Sequence, residues 1–300
     1  MSNSPLVSVM IITYNSAHFI VETLDSVLAQ DYPNLEIIVS DDASTDETCQ
    51  ILQEYHLQYP NIVKPIFNKV NQGITKNSNV ALWACKGEYI SLMGGDDVML
   101  PGKLSCQISA MKQDDNCVLS YHNVEVFNES LSTSVLYVTR QQKIIINYFD
   151  CLSEKVQICA SSVMFRKSAV PKHGFDESIV VASDWLFLVE ILIQGKGLYI
   201  DKTLCRYRRH ANNVTNCISP FARQCNADHM LSAIILLVRY PEKESEILLA
   251  ISFKCRKLRS ILFSAHGYRS VLYSSLAFKF NFKAFLGIIV NYVTLGAVKF

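Results

Sequence analysis

An α/β fold built on an open, mostly parallel sheet flanked by helices is what this sequence predicts, on three observations. Apolar runs of strand length alternate with helical patterns through the first hundred residues or so; the first run is continuous rather than alternating; and polar clusters follow three of the runs directly. Continuous apolar strands belong to sheets covered on both faces, and strand–helix alternation implies right-handed crossovers between parallel strands.

Val7 to Ile12 is the first run, stopped by Thr13-Tyr14-Asn15-Ser16. Ile20, Leu24, Val27 and Leu28 then recur at helical spacing, up to Pro33. Leu35 to Val39 is the second strand, and the cluster Ser40 to Asp46 behind it can cap a helix whose apolar face includes Thr48, Ile51, Leu52 and Tyr55. Ile62 to Phe67 is the third strand, Asn71-Gln72-Gly73 a turn, and Ile74 to Cys85 a helix ended by Gly87. Tyr89 to Met93 is the fourth, closed by Gly94-Gly95-Asp96-Asp97.

Beyond Pro101 a helix carrying Leu104, Ile108 and Met111 leads to an alternating strand, Val118 to Phe127. Val135 to Thr139 can return beside it. Residues 140 to 182 carry little periodicity apart from a short strand at Ser161 to Phe165. Ser183 or Asp184 then caps an apolar helix, closed by Gly195-Lys196-Gly197. Leu198 to Ile200 is a strand, and a basic stretch with Tyr207-Arg208-Arg209-His210 follows as a loop. From Phe221 only helical patterns remain. The expected organisation is an α/β domain over 1–215 and a C-terminal helical region over 216–300.

Composition narrows the partners. Half of the 300 residues are hydrophobic, which excludes a disordered chain. The net charge of +1 conceals an asymmetry: eight of the 28 lysines and arginines follow the last acidic residue, Glu246, leaving 20 basic against 27 acidic side chains before it. Such a body is not expected to bind nucleic acid, whereas the basic, apolar tail suits an anionic surface. The N-terminus lacks the pattern of a signal peptide, so a cytoplasmic protein is expected, with its ten cysteines reduced. No Cys-x-x-Cys pair points to zinc. Ala284 to Val298 is broken by Asn291 and falls short of the roughly 20 residues that span a bilayer. Residues 250 to 300 are therefore read as amphipathic helices, either peripheral on the inner face of the cell membrane or packed on the first domain.

Ligands in open parallel sheets bind beyond the carboxyl ends of the strands, so the three polar clusters should converge on one crevice. Asp96 and Asp97 are adjacent carboxylates that repel unless a cation or donors stabilise both. A hard divalent ion carrying a substrate's phosphates would do so; equally, Gly-Gly-Asp-Asp is good turn chemistry. Asp41 and Asp42 can cap a helix, and Tyr14 can be a core aromatic with its hydroxyl at the surface.

Taken in order, Val9 to Asn15, Ile37 to Asp46, Asn71-Gln72-Gly73, Gly87 to Asp97, Ser183-Asp184-Trp185 and Tyr207 to His210 resemble the inverting family 2 glycosyltransferases of GT-A fold, bacterial surface-polysaccharide type. The resemblance spans roughly the first 215 residues, and its strength is the ordered set rather than any one motif. It implies a nucleotide-sugar donor, UDP-linked first, held by Thr13, Tyr14, Asn15, Asp42, Asp96 and Asp97. It implies Mn²⁺ or Mg²⁺ on Asp96 with His210, Asp184 as catalytic base, and Trp185 against a glycan or lipid-linked oligosaccharide acceptor in O antigen or capsule assembly. Trp185 can also be core, and His210 can be structural or bind diphosphate. Two positions depart from the family: Gly94 stands where many members have the first metal-motif aspartate, and Ser78 where many have arginine. Gly94 keeps a catalytically silent sugar-nucleotide or glycan binding module in play. A metal-dependent nucleotidyltransferase would want a basic Gly-rich loop near the first strand, and none is visible.

Overall fold

A computed structural model describes residues 4–128, 133–137, 143–153, 155–210, 213 and 220–252. In chain order the strands are β1 (Val7–Thr13), β2 (Leu35–Asp41), β3 (Val63–Phe67), β4 (Tyr89–Gly94), β5 (Val98–Met99), β6 (Cys117–Asn128), β7 (Thr133–Tyr137), β8 (Ile145–Ile146), β9 (Met164–Arg166) and β10 (Lys196–Arg208). The helices are α1 (Ile20–Leu28), α2 (Thr48–Gln58), α3 (Ile74–Ala84), α4 (Lys103–Met111), α5 (Tyr148–Leu152), α6 (Ser183–Ile193) and α7 (Pro220–Arg239).

These strands form one sheet in the order β3-β2-β1-β4-β9-β6-β10-β5, with β7 on β6 and β8 on β10. The first four are parallel, as the alternation predicts. β9 runs antiparallel to both its neighbours, β4 and β6. Val7, Val9 and Ile11 of β1 are fully buried and pack with Ile37 and Val39 of β2 and Leu24 and Val27 of α1. The edge strand β3 contains Pro65, which offers no N–H to a further strand and so blunts that edge.

Register sets the crevice. Thr13 of β1 lies opposite Asp41 of β2, and Ile12 opposite Gly94 of β4. Two loop bonds continue these ladders, from the Asp42 N–H to Thr13 O at 3.0 Å and from the Gly95 N–H to Ile12 O at 3.1 Å. The three polar clusters therefore emerge side by side from adjacent parallel strands.

Several local expectations are corrected. Ser161 and Ser162 form a 3₁₀ turn with Ala160, and the strand begins only at Met164. Residues 205 to 208, read as loop, continue β10, whose pairing with β6 slips between Ile200 and Cys205. Those slips let one long strand bend toward the crevice. Gly87 lies beyond the Cys85 cap of α3; a Cβ there would meet the Ser8 nitrogen at 2.5 Å and Leu6 O at 2.8 Å, so glycine permits close backbone approach. The cap of α6 is Ala182, without a side-chain bond, rather than Ser183 or Asp184.

Chain contacts group the described residues up to Ile247 into one compact unit that includes α7, past the expected boundary at 215; those from Leu248 fall to a second. Among the described residues no helix is long and apolar enough to cross a membrane. The tail expected to lie on a membrane falls outside the described residues from 253 onward.

Candidate active site

The acidic cluster after β2 divides its labour. Asp41 takes the N–H and hydroxyl of Ser44 and folds the turn. Asp46 takes the Thr48 N–H at 3.0 Å and the Ala17 N–H at 3.1 Å, so it serves the start of α2 and the neighbouring β1 loop together. Asp42 faces the other way. Its carboxylate accepts from the backbone of Gln72 at 2.9 Å and Gly73 at 2.8 Å, and from the Asn68 amide at 3.1 Å. Helix capping thus falls to Asp46, and Asp42 fixes the Gly73 turn that opens α3.

Thr13 is buried, and its hydroxyl has no partner among the described residues, an orphaned polar atom at the end of β1. Tyr14 is 49% exposed on the rim, which removes the core reading. Asn15 adopts a left-handed φ of 51°, and its Oδ1 accepts from the Thr45 N–H at 2.8 Å while its own N–H donates to Ser44 Oγ at 2.8 Å. The side-chain carbonyl oxygen of Asn15 therefore ties the two loops together.

Asp96 and Asp97 separate. Asp96 lies at the surface of the crevice and meets His210 Nε2 at 2.9 Å, with the Asn213 amide at 3.3 Å. Phe19 stacks on the His210 ring at 4.7 Å between centroids. Asp97 turns inward: one carboxylate oxygen accepts from Ser161 Oγ and the other from the Arg208 N–H at 3.0 Å. Burial, then the Asp96 charge, push its pKa well up. Both Asp97 oxygens are engaged inside the fold, so the carboxylate braces the loop from beneath.

Arg208 is also inside. Its Nε donates to Asp96 O at 2.8 Å, its guanidinium pairs with Glu22, and the rings of Phe19 and Phe127 lie at 5.0 and 4.6 Å. It holds the backbone of Asp96 from below. Beneath Ser161 lies a fully buried lysine, Lys103, whose ammonium donates to Ser91 Oγ and Ser161 O, each at 2.9 Å. Burial lowers its pKa to about 8. Sequence reasoning missed Ser161, Lys103 and Asn213. Ser161 sits in the weakly patterned stretch, and a lone lysine in an amphipathic helix reads as solvent-facing.

Asp184 occupies the first turn of α6, where its Oδ1 accepts from the Trp185 N–H at 2.9 Å. Burial raises its pKa above the ordinary carboxylate value, against the lowering effect of the backbone bonds. Among the described residues no ion pair reaches it. Burial, then the charges of Asp97 and Asp184, push the Cys159 thiol up to about 12. Trp185 lies 4.9 Å from the His229 ring and is partly buried.

The residues present fit a divalent ion. Asp96 and His210 would be the residues to hold it, a carboxylate oxygen and an imidazole nitrogen that lie 2.9 Å apart and hydrogen-bond to each other in this structure. Gly94 adds no third side chain, and among the described residues no group of three His, Cys, Asp or Glu gathers. The remaining positions would fall to phosphate and water, the usual arrangement for Mg²⁺.

Comparison with known proteins places these features. The family model described as glycosyl transferase family 2 matches residues 8–172. An uncharacterized glycosyltransferase of Rickettsia typhi is 32% identical over 224 residues, covering 71% of this chain and 67% of that one. An uncharacterized protein of Mycobacterium tuberculosis H37Rv is 31% identical over 210 residues, 69% of this chain; the chain spans only 60% of that relative's length. Among solved structures, Staphylococcus aureus TarS (residues 1–349) superposes with a TM-score of 0.63 at 19% identity, over 86% of this chain and 75% of its own. It has also been crystallised with UDP and with UDP-GlcNAc. The mannosyltransferase PcManGT of Pyrobaculum calidifontis, in complex with GDP-Man and Mn²⁺, gives 0.59 at 17%, over 99% and 87%. These likenesses show a shared GT-A fold.

Proposed function

The chain belongs to glycosyl transferase family 2, and from that premise we propose that it is an inverting glycosyltransferase moving a sugar from a nucleotide-sugar, UDP-linked first, to a glycan or lipid-linked oligosaccharide. The observation that carries the reading is Asp184: a desolvated carboxylate in the first turn of α6, free of cationic partners among the described residues. A binding module has no use for such a group.

The chemistry follows from position. In a single displacement the acceptor hydroxyl attacks the anomeric carbon from the face opposite the leaving diphosphate, and a base must take its proton. Asp184 is that base, and desolvation brings its pKa toward the working pH. The orphaned Thr13 hydroxyl and the exposed Tyr14 ring serve the nucleoside, beside the turn that Asp42 fixes. Asp96 and His210 would hold Mn²⁺ or Mg²⁺, which when bound would supply positive charge to neutralise the diphosphate. Support for a nucleotide-sugar and metal comes from TarS with UDP-GlcNAc and PcManGT with GDP-Man and Mn²⁺. Trp185 offers an apolar face to the acceptor. The acceptor class, in O antigen or capsule assembly at the inner face of the membrane, rests on the resemblance and on the basic tail.

The test is a screen of nucleotide-sugars for Mn²⁺-dependent release of nucleotide, repeated with Asp184→Asn. The variant is expected to bind donor as the wild type does and to turn over at least about 10²-fold more slowly, the scale of general base catalysis. Normal turnover would remove Asp184 from the mechanism.

A further inference from the structure

The start of α6 is held by a residue from outside the matched family region. Ala182 caps the helix with no side-chain bond of its own, and the Val181 and Ala182 N–H groups instead converge on one oxygen of Asp228 in α7, at 2.7 and 3.0 Å. Asp228 is 1% exposed. Two amides on one ionised oxygen make a strong, short-range anchor in a buried setting.

The same loop is held from the opposite side by α3. Thr75 Oγ1 lies 2.6 Å from Ile179 O and 3.0 Å from Ser183 Oγ, while the Asn79 side chain pairs with both the N–H and C=O of Phe175, at 2.8 and 2.9 Å. Farther along, Arg239 of α7 reaches Glu190 of α6 at 3.0 Å and also pairs with Asp176. Residues 175 to 183 are thus clamped between an element of the donor crevice and α7. Asp184 is the first acidic group after the clamp.

We propose that Asp228 is a positioning residue for the reaction, fixing the 181–182 backbone so that α6 presents the Asp184 carboxylate to the acceptor. The proposal rests on the assignment of Asp184 as base. It makes α7 a working part of the active site, although the family model ends at residue 172.

The experiment compares Asp228→Ala and Asp228→Asn with Asp184→Asn in the full chain, using UDP-GlcNAc and Mn²⁺ and measuring UDP release against pH. The titration of the Asp184 carboxyl is followed in parallel by ¹³C NMR. Both anchoring bonds end on one oxygen, so an amide oxygen can replace it. The asparagine variant should keep kcat within about threefold and leave the Asp184 titration in place. The alanine variant should lower kcat at least about tenfold with KM for UDP-GlcNAc little changed, and move the Asp184 titration down toward an exposed carboxylate. If the alanine variant does not fold, Asp228→Glu, which keeps the charge and displaces the oxygen, is read in its place for the same loss. A wild-type kcat and unmoved titration in the alanine or glutamate variant overturn the proposal while Asp184→Asn remains inactive. Full activity of Asp184→Asn instead overturns the base assignment, and the NMR titration still decides whether Asp228 positions that carboxyl.

Discussion

Asp96 offers an oxygen to His210 at the crevice, whereas Asp97, one residue on, is satisfied by Ser161 and the Arg208 backbone inside the fold. Adjacent carboxylates read as a pair in sequence because nothing local says which way each will point; the partners that decide it lie 64 and 111 residues away. The buried member has a consequence for stability. A carboxyl whose folded pKa is raised contributes stability that is fully present below its ordinary value of 3.8 and is lost as pH rises through the folded value of about 7. From this group alone, stability in urea unfolding of metal-free protein falls between about pH 4 and pH 7 by roughly 4 kcal/mol at most; the buried His122, its pKa lowered to about 3, opposes that fall over the same range, so the readout is the difference between wild type and variant. Asp97→Asn, which can still accept from Arg208 and donate to Ser161, should flatten that fall. Asp184, raised by burial, adds to the same fall and is left unchanged by the substitution, while the carboxylates with lowered pKa, Glu36, Asp46, Asp114 and Asp176, lose their contribution as pH drops below their ordinary values. An equally steep fall in the variant would place the cost elsewhere.

The loops after β1 and β2 are the elements where local chemistry and fold disagree. Ala43 sits at φ 61°, a left-handed conformation that a Cβ disfavours by roughly 1–2 kcal/mol, and Asn15 faces it at φ 51° in a conformation asparagine tolerates. Ala43→Gly should relieve that strain, less the extra freedom glycine gains in the unfolded chain, for a net gain of up to about 1 kcal/mol. A raised urea midpoint with unchanged slope would show it; a lowered midpoint would mean that the Ala43 methyl packs usefully. The parallel strands and α1 to α3 were legible because each announces itself over five to eleven residues, the strands by an apolar run and the helices by a period. β5 and β8 were not, since two residues carry no period and their places come from pairing with β10, while β9 was read in part, its expected start at Ser161 moving to Met164. The site divides in the same way. Thr13, Asp42, Asp96 and Asp184 could be read because strand ends and motif order mark them, while Ser161, Lys103 and Asp228 act through contacts with elements distant in sequence.

Across the molecule, the charge asymmetry is the feature that reaches beyond the catalytic unit. The cluster Lys254, Arg256, Lys257 and Arg259 follows the last acidic residue, and each basic side chain near an anionic leaflet contributes roughly 1 kcal/mol. Co-sedimentation with vesicles containing anionic lipid is expected for the full chain, weakening at high salt and vanishing on deletion of residues 253–300. Equal co-sedimentation of the truncated protein would defeat the membrane reading. The pairing of Asp96 with His210 closes a loop of 114 residues and waits on β10 reaching its place beside β6. Such distant closures form slowly and late, because their entropy must be offset by contacts already made. During synthesis, then, a chain that has emerged only through β4 carries neither Asp96 nor His210 and not yet Asp184, so the residues proposed to hold an ion and to act as base come together only when nearly all of the sheet has been assembled.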